Sequence, residues 1–397
     1  MNVTAIICEY NPFTNGHLKH LQLAKEQTNA DAVICIMSGS FTQRGDAAIL
    51  SKYQRAELAV RLGADMVVEL PHIFAISPAD NFAFGAIKIL ASLPNVTHLS
   101  FGSECGNVNL LTKAAYFLYN EPQRYKELLK TYQSSGNSFP KARSLALQDF
   151  AKENPTYSDI SEILDKPNNV LGIAYIQALK KFGLDNIAIH TIKRETEYSD
   201  LSLDGDFPSA SAVRMAIVQG KIADIKNSVP PFCYNLLESV NLNGTSLGDL
   251  CLFKLKDISG YDLENYYDFT GGLHNRLKLA ASEAITFEEF LEKAKTKNYT
   301  MARIKRLSLY ALFDITKDMY NEICTLPAYV HILALNKERK DILKATHQSC
   351  PNTLNRYSDI DKVDKRLRPY IKMDFKAQGT LNIINRSQSY EKSMILI

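Results

Sequence analysis

The sequence predicts an α/β fold followed by a mainly α-helical region, and three observations support this. Short apolar runs rich in β-branched residues alternate with amphipathic helical segments over the first half of the chain. Polar or glycine-containing loops follow several of these runs, as expected for a parallel sheet with helices on both faces. Beyond Pro230-Pro231 the periodicity becomes helical. We therefore expect an α/β domain at residues 1–229 and a mainly helical domain at residues 230–397.

The individual elements follow from the same patterns. Strands are expected at residues 3–8, 31–37, 65–70, 97–101 and 186–192. Helices are expected from His17 onward and at residues 51–62, 80–93, 169–182 and 209–218. Residues 107–166 have helical periodicity and predict an insertion into the α/β domain. From residue 230 to about 344 the chain is expected to be helical throughout, including residues 287–295 and 300–320, and the end of the chain is mixed.

Composition excludes several classes of protein. The 397 residues are 46% hydrophobic and 22% charged, as in ordinary globular proteins. No apolar run approaches the roughly 20 residues that cross a bilayer, and no basic segment precedes an apolar one at the N-terminus. The seven cysteines are scattered without a C-x-x-C pair, which favours reduced thiols and argues against a zinc site. We expect a cytoplasmic protein without a membrane partner or a protein-held metal.

Charge is distributed unevenly along the chain. Residues 271–397 contain 22 Lys and Arg against 14 Asp and Glu, a net charge of +8, whereas the rest of the chain carries −5. A basic C-terminal third suggests a polyanionic partner. An ordinary solvated helical surface would give the same pattern.

The segment from Val3 to His20 predicts an anion-binding loop. A buried strand is followed by the turn signal Asn11-Pro12, by Gly16 and then by a helix. The free amides and positive dipole at a helix N-terminus favour an anion. The loop also carries Thr14 and His17, a hydroxyl and an imidazole three residues apart. Alternatively, Gly16 serves only the turn and His17 only caps the helix.

Further candidates follow the other predicted strands. Arg44 follows the second strand and is able to bind a phosphate or carboxylate through two hydrogen bonds. Gly102 follows the fourth strand, where the absence of a side chain would let a base or ribose approach. Asn169 opens a helix, and Arg194 ends the fifth strand, where a cation suits a triphosphate. Alternatively, Arg44 is a solvated loop residue, Gly102 serves a plain turn, Asn169 is an N-cap and Arg194 is a surface charge.

The run from Ser209 to Arg214 opens another helix. Its amides and hydroxyls, including that of Ser211, suit a phosphate, and Arg214 lies one turn further on the same side. A capping motif with an exposed arginine is the alternative.

The T-x-G-H of Thr14 to His17 resembles the (H/T)-x-G-H signature of the nucleotidyltransferase superfamily. The run from Ser209 to Arg214 is similar to its second signature, I-S-S-T-x-I-R, from which Pro208 and Ala210 depart. The two signatures lie in the expected order at opposite ends of one predicted α/β domain. The resemblance implies a Rossmann-like nucleotidyltransferase domain in which Thr14, His17 and Arg214 are the catalytic residues.

A closer resemblance, to the bacterial tRNA(Met) cytidine acetate ligase family, extends along nearly the whole chain. Its motifs here are EYNPFTNGH (Glu9 to His17), MSGSFTQRG (Met37 to Gly45), VELP (Val68 to Pro71), FGSE (Phe101 to Glu104), PNNVLG (Pro167 to Gly172), SASAVR (Ser209 to Arg214), GLHNRLK (Gly272 to Lys278) and YTMARIKR (Tyr299 to Arg306). Thr14 is a departure, because the family commonly has His there.

The resemblance implies an activity and a set of binding residues. Members activate acetate with ATP to acetyl-adenylate and transfer the acetyl group to N4 of the wobble cytidine of elongator tRNA(Met), with Mg²⁺ accompanying the triphosphate. The implied ATP-binding residues are Ile7, Cys8, Glu9, Tyr10, Asn11, Pro12, Phe13, Thr14, Asn15, Gly16, His17, Leu18, Lys19, His20, Gly102, Asn169, Arg194 and Ser211.

Five basic residues are the candidates for binding the tRNA. They are Arg44, Arg276, Arg303, Lys305 and Arg306, with a solvated surface as the alternative. Reversing Arg303 and Arg306 to Glu is expected to cripple tRNA modification and spare acetyl-adenylate formation. Two other functions stay open: a small-molecule adenylyltransferase, which would not need the basic third, and a non-catalytic RNA-binding relative, which would not need His17.

Overall fold

The computed structural model describes residues 1–195, 200–240, 246–387 and 393–397. The strands are β1 (Val3–Cys8), β2 (Ala32–Ser38), β3 (Met66–Leu70), β4 (Val96–Ser103), β5 (Ala188–Lys193), β6 (Val330–Leu335), β7 (Thr353–Leu354) and β8 (Ile395–Leu396). The helices of the first half are α1 (Asn15–Gln27), α2 (Lys52–Arg61), α3 (His72–Ala75), α4 (Ala79–Leu90), α5 (Val108–Asn120), α6 (Gln123–Ser134), α7 (Phe139–Glu153), α8 (Ser158–Ser161), α9 (Pro167–Lys181) and α10 (Ala210–Val218).

Helices dominate the second half. They are α11 (Pro231–Glu238), α12 (Leu247–Asp257), α13 (Gly260–Glu264), α14 (Leu273–Glu283), α15 (Phe287–Ala294), α16 (Met301–Leu312), α17 (Lys317–Thr325), α18 (Lys340–Ser349) and α19 (Arg368–Ile384). Short 3₁₀ helices lie at Pro155–Tyr157, Ile222–Ile225, Tyr357–Lys362 and Lys365–Leu367.

The sheet has the strand order β5-β4-β1-β2-β3-β6-β7, with β8 also paired to β6. The five strands from β5 to β3 are parallel, and burial of β1, β2 and β3 on both faces explains the hydrophobic runs of the sequence there. After β3 the chain returns to the other side of β1 to form β4. The loops after β1 and β4 therefore lead in opposite directions and open a crevice at the carboxyl ends of these strands, where ligands bind in open α/β sheets.

The sequence prediction of an α/β fold is confirmed. Each predicted strand and helix of the α/β half is present within a few residues, and α5 to α8 form the predicted helical insertion. Two expectations for the second half were wrong. The helix expected at residues 300–320 is broken between α16 and α17, where Asp314 has a φ of 57°. Residues 330–335 form β6 rather than a helix.

Strand β6 joins the helical half of the chain to the sheet. It pairs antiparallel with β3, and all of its residues are buried. The division into domains at residues 229 and 230 stays an interpretation of the sequence, and the sheet itself crosses that point.

A buried ionic cluster fastens β6 and α19 to the sheet. We use this name for Lys52, Glu69, Tyr329, His331 and Asp374. The Lys52 ammonium donates to both carboxylate oxygens of Glu69 at 2.8 and 2.7 Å, and His331 Nδ1 lies 2.6 Å from Glu69 Oε2. Tyr329 donates to Asp374 at 2.6 Å. These side chains are at most 2% exposed, so the cluster belongs to the core.

Among the described helices, none has both the length and the apolar character needed to span a membrane. The seven cysteines are all free thiols.

Candidate active site

A cavity of about 250 Å³ lies at the carboxyl ends of β1 and β4. Its wall combines the loop after β1, the loop after β2, the end of β4, the start of α9, the end of β5 and the start of α10. This is the crevice that the strand order opens, and its mixture of apolar and charged walls is typical of a small-molecule site.

The loop after β1 is held in place by buried hydrogen bonds. The Asn11 side-chain oxygen accepts the amide of Ile49 at 2.9 Å. The Arg55 guanidinium, which is fully buried, donates to the carbonyls of Glu9 and Ser38 at 2.6 and 3.0 Å. These bonds fix the backbone before α1, so that the side chains at the helix start have defined positions.

Thr14 and His17 form a pair at the N-terminus of α1. His17 Nδ1 accepts the backbone amide of Thr14 at 3.0 Å and lies 3.1 Å from the Thr14 hydroxyl. Because Nδ1 is an acceptor, the ring proton of neutral His17 is on Nε2. The ring packs edge-on against Tyr10 and Phe13, with centroids 5.2 and 5.8 Å away. The site therefore presents His17 as an oriented hydrogen-bond donor.

The electrostatics of the cavity favour an anion. Burial lowers the pKa of His17 to about 3. Smaller contributions in the same direction come from Arg194, His20 and Arg214, in that order. Positive charge near His17 thus disfavours a proton on its ring. An anionic ligand would relieve this repulsion and receive hydrogen bonds from the same groups.

Two arginines from distant parts of the chain meet at the cavity. Arg194 follows β5, and its side chain lies beside Gly102, where an added Cβ would be 3.4 Å from Arg194 Cγ. Arg214 donates to the Asn11 carbonyl at 2.6 Å and to the Ser211 hydroxyl at 2.9 Å. Arg214 is thereby tied to the loop after β1, which places a cation next to the N-terminus of α1.

Most of the residues expected at the site line the cavity. Of the segment from Ile7 to His20, only Pro12, Phe13, Asn15 and Leu18 do not line it, and Arg44, Gly102, Arg194 and Arg214 do. Ser211 lies behind the wall and accepts the hydrogen bond from Arg214. Its predicted contact with ATP stays a prediction, and its observed contact positions the arginine.

Asn169 also lies behind the cavity wall. Its side-chain oxygen accepts the amides of Glu104 and Cys105 at 3.0 and 3.1 Å, and the residue is 1% exposed. The Glu104 carboxylate in turn accepts the amides of Asn168 and Asn169. This reciprocal arrangement joins the end of β4 to the start of α9. The predicted role of Asn169 toward ATP is not tested by these contacts.

The basic residues expected to grip tRNA contact other parts of the protein. Arg276 donates to the carbonyls of Lys293, Ala294 and Lys295, and Arg303 pairs with Asp268 at 2.7 Å. Their role toward RNA stays a prediction.

Lys305 and Arg306 contact the loop that carries Arg44. The Lys305 ammonium lies 2.7 Å from Asp46, and Arg306 donates to the Gln43 carbonyl at 3.4 Å. Gly45, with a φ of 82°, packs so closely that an added Cβ would be 2.8 Å from Lys305 Cβ. Helix α16 therefore supports one wall of the cavity directly.

Sequence reasoning missed several residues of the wall. Gln43 and Tyr175 line the cavity, as do Phe82, Phe101 and Phe207. Gln43 adjoins Arg44 in a predicted strand-end loop, and that position was the available signal. Tyr175 lies two turns into α9, where an aromatic residue on a buried helix face is indistinguishable from core.

The cavity does not contain a ready-made metal site. No group of three or more His, Cys, Asp or Glu side chains arranged to hold a metal ion is present in the described part of the chain. Apart from the carboxylates of Glu9 and Glu195, the ionisable groups that line the cavity are hydrogen-bond donors and cations, which suit phosphate oxygens.

The fold and the cavity together define a class of protein, the α/β nucleotidyltransferases, in which a nucleotide binds at the helix that follows the first strand. Comparison with family models agrees: the model described as HIGH Nucleotidyl Transferase matches residues 1–394. The chain belongs to this family.

Individual relatives are similar over most of the chain. The tRNA(Met) cytidine acetate ligase of Thermoanaerobacter sp. (strain X514) is 39% identical over 358 residues, covering 88% of this chain and 87% of the relative. The enzyme of the same name from Clostridium perfringens (strain SM101) is 37% identical over 400 residues, with 98% and 96% coverage.

Solved structures share the complete fold. The crystal structure of apo Thermotoga maritima TmcAL matches with a TM-score of 0.91 and 32% identity, and covers 100% of both chains. The form of that protein bound with alpha-thio ATP matches with a TM-score of 0.90 and 31% identity over the same extent.

Proposed function

We propose that this chain is an ATP-dependent acetate ligase that forms N4-acetylcytidine at the wobble position of elongator tRNA(Met). The observation that carries the proposal is the cavity at the start of α1, where His17, Arg194 and Arg214 converge from distant parts of the chain. The names of the relatives supply the substrates, and an alpha-thio ATP complex of a structural relative supports the nucleotide.

The first step is the activation of acetate. An acetate oxygen attacks the α-phosphorus of ATP, the bond to the pyrophosphate oxygen breaks, and pyrophosphate leaves with the electron pair. The Nε2 proton of His17 and the guanidinium groups of Arg194 and Arg214 would stabilise the negative charge on the phosphoryl oxygens. The amides at the start of α1 add donors that need no reorganisation. The product is acetyl-adenylate, in which AMP is a good leaving group.

The second step is acetyl transfer to the cytidine amine. The amine is a weak nucleophile, so positioning next to the acetyl carbon supplies most of the rate. An unpaired anticodon base is able to leave its stack and enter such a pocket, while basic side chains hold the phosphates. Apolar wall residues such as Phe101 and Tyr175 would keep water from the intermediate.

Magnesium enters the proposal only with the nucleotide. The described residues offer donors for phosphate rather than a carboxylate cage for a cation, so any Mg²⁺ would be held mainly by the triphosphate oxygens. The residue roles above do not depend on it. A cytoplasmic location, where tRNA and ATP are abundant, is part of the same proposal.

The decisive experiment supplies all the substrates at once. The protein is incubated with ATP, labelled acetate and elongator tRNA(Met), and the digested RNA is analysed for N4-acetylcytidine. A transcript with uridine at the wobble position is the matched control and should remain unlabelled. Labelled cytidine supports the ligase. Adenylyl transfer to a small acceptor instead would indicate an adenylyltransferase, and RNA binding without ATP turnover would indicate a non-catalytic relative.

The tRNA contacts require a separate test, which the structure sharpens. Arg306 supports the cavity loop through Gln43, so reversing its charge is expected to disturb both steps. Arg303 pairs with Asp268 and does not line the cavity. Arg303→Glu should therefore weaken tRNA acetylation and leave acetate-dependent pyrophosphate exchange unchanged. Equal loss of both activities would show that Arg303 is not an RNA contact.

A further inference from the structure

Glu9 brings a carboxylate into a cavity otherwise built for anions. It follows β1 directly and lines the cavity together with His17 and Arg214. Its Oε1 accepts the backbone amide of Gln43 at 2.8 Å. Within the described residues, the other carboxylate oxygen accepts no hydrogen bond. One oxygen therefore anchors the side chain to the loop after β2, and the second is available to a ligand.

The second acidic residue of the wall behaves differently. Glu195 pairs with Lys19 at 2.5 Å and is more than half exposed. Its charge is therefore neutralised at the rim. In the part of the chain that the structure describes, Glu9 and Glu195 are the acidic side chains that line the cavity.

A carboxylate at this place would repel acetate and the triphosphate, so it fits the remaining substrate. The exocyclic amine of cytosine presents two N–H donors and no acceptor, and carboxylates are the side chains that recognise it. Gln43, whose amide donates to Glu9 Oε1, accepts a hydrogen bond from Arg306 at its carbonyl. Both loops next to the carboxylate are thereby fixed, which gives Glu9 a defined direction.

The chemistry of transfer requires a group that takes a proton. When the amine nitrogen bonds to the acetyl carbon, the bond from that carbon to the AMP oxygen breaks, and AMP leaves with the electron pair. The nitrogen must then lose one proton. His17 cannot take it through Nδ1, because that atom accepts the Thr14 amide. Burial lowers the pKa of His20 to about 4, which makes it a weak base, and its Nε2 lies 3.0 Å from the Ser100 hydroxyl.

Resting on the proposed function, we propose that Glu9 is the catalytic residue that binds the cytidine amine and accepts its proton during acetyl transfer. The protonated Glu9 returns the proton to water after product leaves. Burial raises the pKa of Glu9, an effect that Asp46 strengthens and that the Gln43 amide, Arg214 and Arg55 oppose. A carboxylate desolvated in this way is a stronger base than one in water.

The test measures the two steps of the reaction separately in the variant Glu9→Gln. The amide oxygen retains the hydrogen bond from Gln43, whereas the second oxygen becomes an NH₂ group, which cannot accept. Acetate-dependent pyrophosphate exchange should not fall, because loss of the negative charge removes a repulsion toward acetate and the triphosphate. Single-turnover acetyl transfer from preformed acetyl-adenylate to the tRNA should fall by about 10²- to 10³-fold. Glu57→Gln, at the surface on α2, is the matched control.

A pH profile distinguishes a base from a structural residue. The single-turnover transfer rate of the wild type should rise with pH through the pKa of Glu9 and then level off, and that rise should be absent from Glu9→Gln. Glu9→Asp, which keeps a carboxylate, should regain part of the rate together with the pH dependence.

Three outcomes would overturn the inference. Transfer at the wild-type rate by Glu9→Gln would show that no proton passes to Glu9. Equal loss of exchange and transfer would show that Glu9 only supports the cavity. Absence of acetylated cytidine with the wild type would overturn the proposed function and the inference with it, and this failure is recognised without any variant.

Discussion

Two groups of ionisable side chains lie near the carboxyl ends of the parallel strands, and they differ in burial and in how their members affect one another. In the ionic cluster the charges neutralise one another. Lys52 is 0% exposed and Glu69 is 1% exposed, and the two form an ion pair. In the cavity, His17, Arg194 and Arg214 are only partly buried and line the wall of a cleft. Burial of charge alone therefore does not identify an active site.

The pKa values show the same contrast. Burial would raise the pKa of Glu69, but Lys52 and His331 outweigh it and lower the value to about 2. At His17, burial and the nearby arginines act in the same direction and lower the pKa to about 3. Charges in the cluster stabilise one another, whereas the arginines of the cavity disfavour a proton on His17. The strand order contributes to this difference: β6 pairs with β3 beside the cluster, whereas the chain reverses its winding between the paired strands β1 and β4, which leaves the cavity beyond their carboxyl ends.

The largest expected effect breaks the ionic cluster. Lys52→Met should leave the buried Glu69 without its cation and reduce the free energy of unfolding by about 3–5 kcal/mol. Urea denaturation followed by circular dichroism measures this. The double variant Lys52→Met/Glu69→Leu removes both charges and should recover at least half of the loss. A single variant that loses less than about 1 kcal/mol would show that the pair is not essential to the core.

His17→Ala, at the cavity, should reduce activity strongly and stability only slightly. Loss of one oriented donor is expected to slow acetate-dependent pyrophosphate exchange by about 10²- to 10³-fold, or about 2.7–4 kcal/mol of transition-state stabilisation. The free energy of unfolding should fall by only about 1–2 kcal/mol, because the ring is partly exposed and its contacts are the Thr14 amide and the edges of Tyr10 and Phe13. His347→Ala, at an exposed histidine, is the control. Wild-type exchange by His17→Ala would refute the proposed role.

His72→Phe tests the pH dependence of the core beside the cluster. Burial lowers the pKa of His72 to about 3, and neither ring nitrogen has a hydrogen-bond partner among the described residues. The unfolded chain binds a proton below about pH 6.5, whereas the folded one does not until about pH 3, so the contribution of His72 to stability is lost as the pH falls. Between pH 7 and pH 5 the wild type should lose about 2 kcal/mol more than His72→Phe. Parallel pH profiles of the two proteins would contradict this.

Thr14→Val should have the smallest effect. It removes the hydroxyl next to His17 Nδ1 and keeps the size of the side chain, so one ligand hydrogen bond of about 1 kcal/mol is expected to be lost. The KM for ATP in the exchange assay should rise about fivefold, and Thr14→Ser should stay near the wild type. An unchanged KM would show that the hydroxyl only orients the imidazole.

The sequence predicted which segments form the cavity, but not the long-range contacts between them. Thr14 and His17 are three residues apart, and Arg214 lies in a recognisable helix start, so local patterns predicted each of them. The contact of Arg306 with Gln43 joins residues 263 positions apart, and no local pattern encodes it. Glu9 and Glu195 are both acidic residues in strand-end loops, and only their partners in space distinguish them.

The errors in the fold have equally specific causes. Five of the six residues of β6 are apolar, and so short an apolar stretch fits a buried helix as well as a buried strand. Its neighbours on both sides are helices, and the local context favoured the wrong choice. The break after α16 depends on the left-handed backbone of Asp314, a conformation that sequence alone rarely reveals.

The antiparallel pairing of β6 with β3 bears on how this enzyme can be engineered. A fragment that ended at residue 229 would expose the edge of β3 that pairs with β6. It would also divide the ionic cluster, because Lys52 and Glu69 would be retained, whereas His331 and Asp374 would be lost. Exchanging the two halves between related proteins would therefore require the facing surfaces of both to be redesigned together. The substrate range is better altered within the intact chain, at the loop that follows β2.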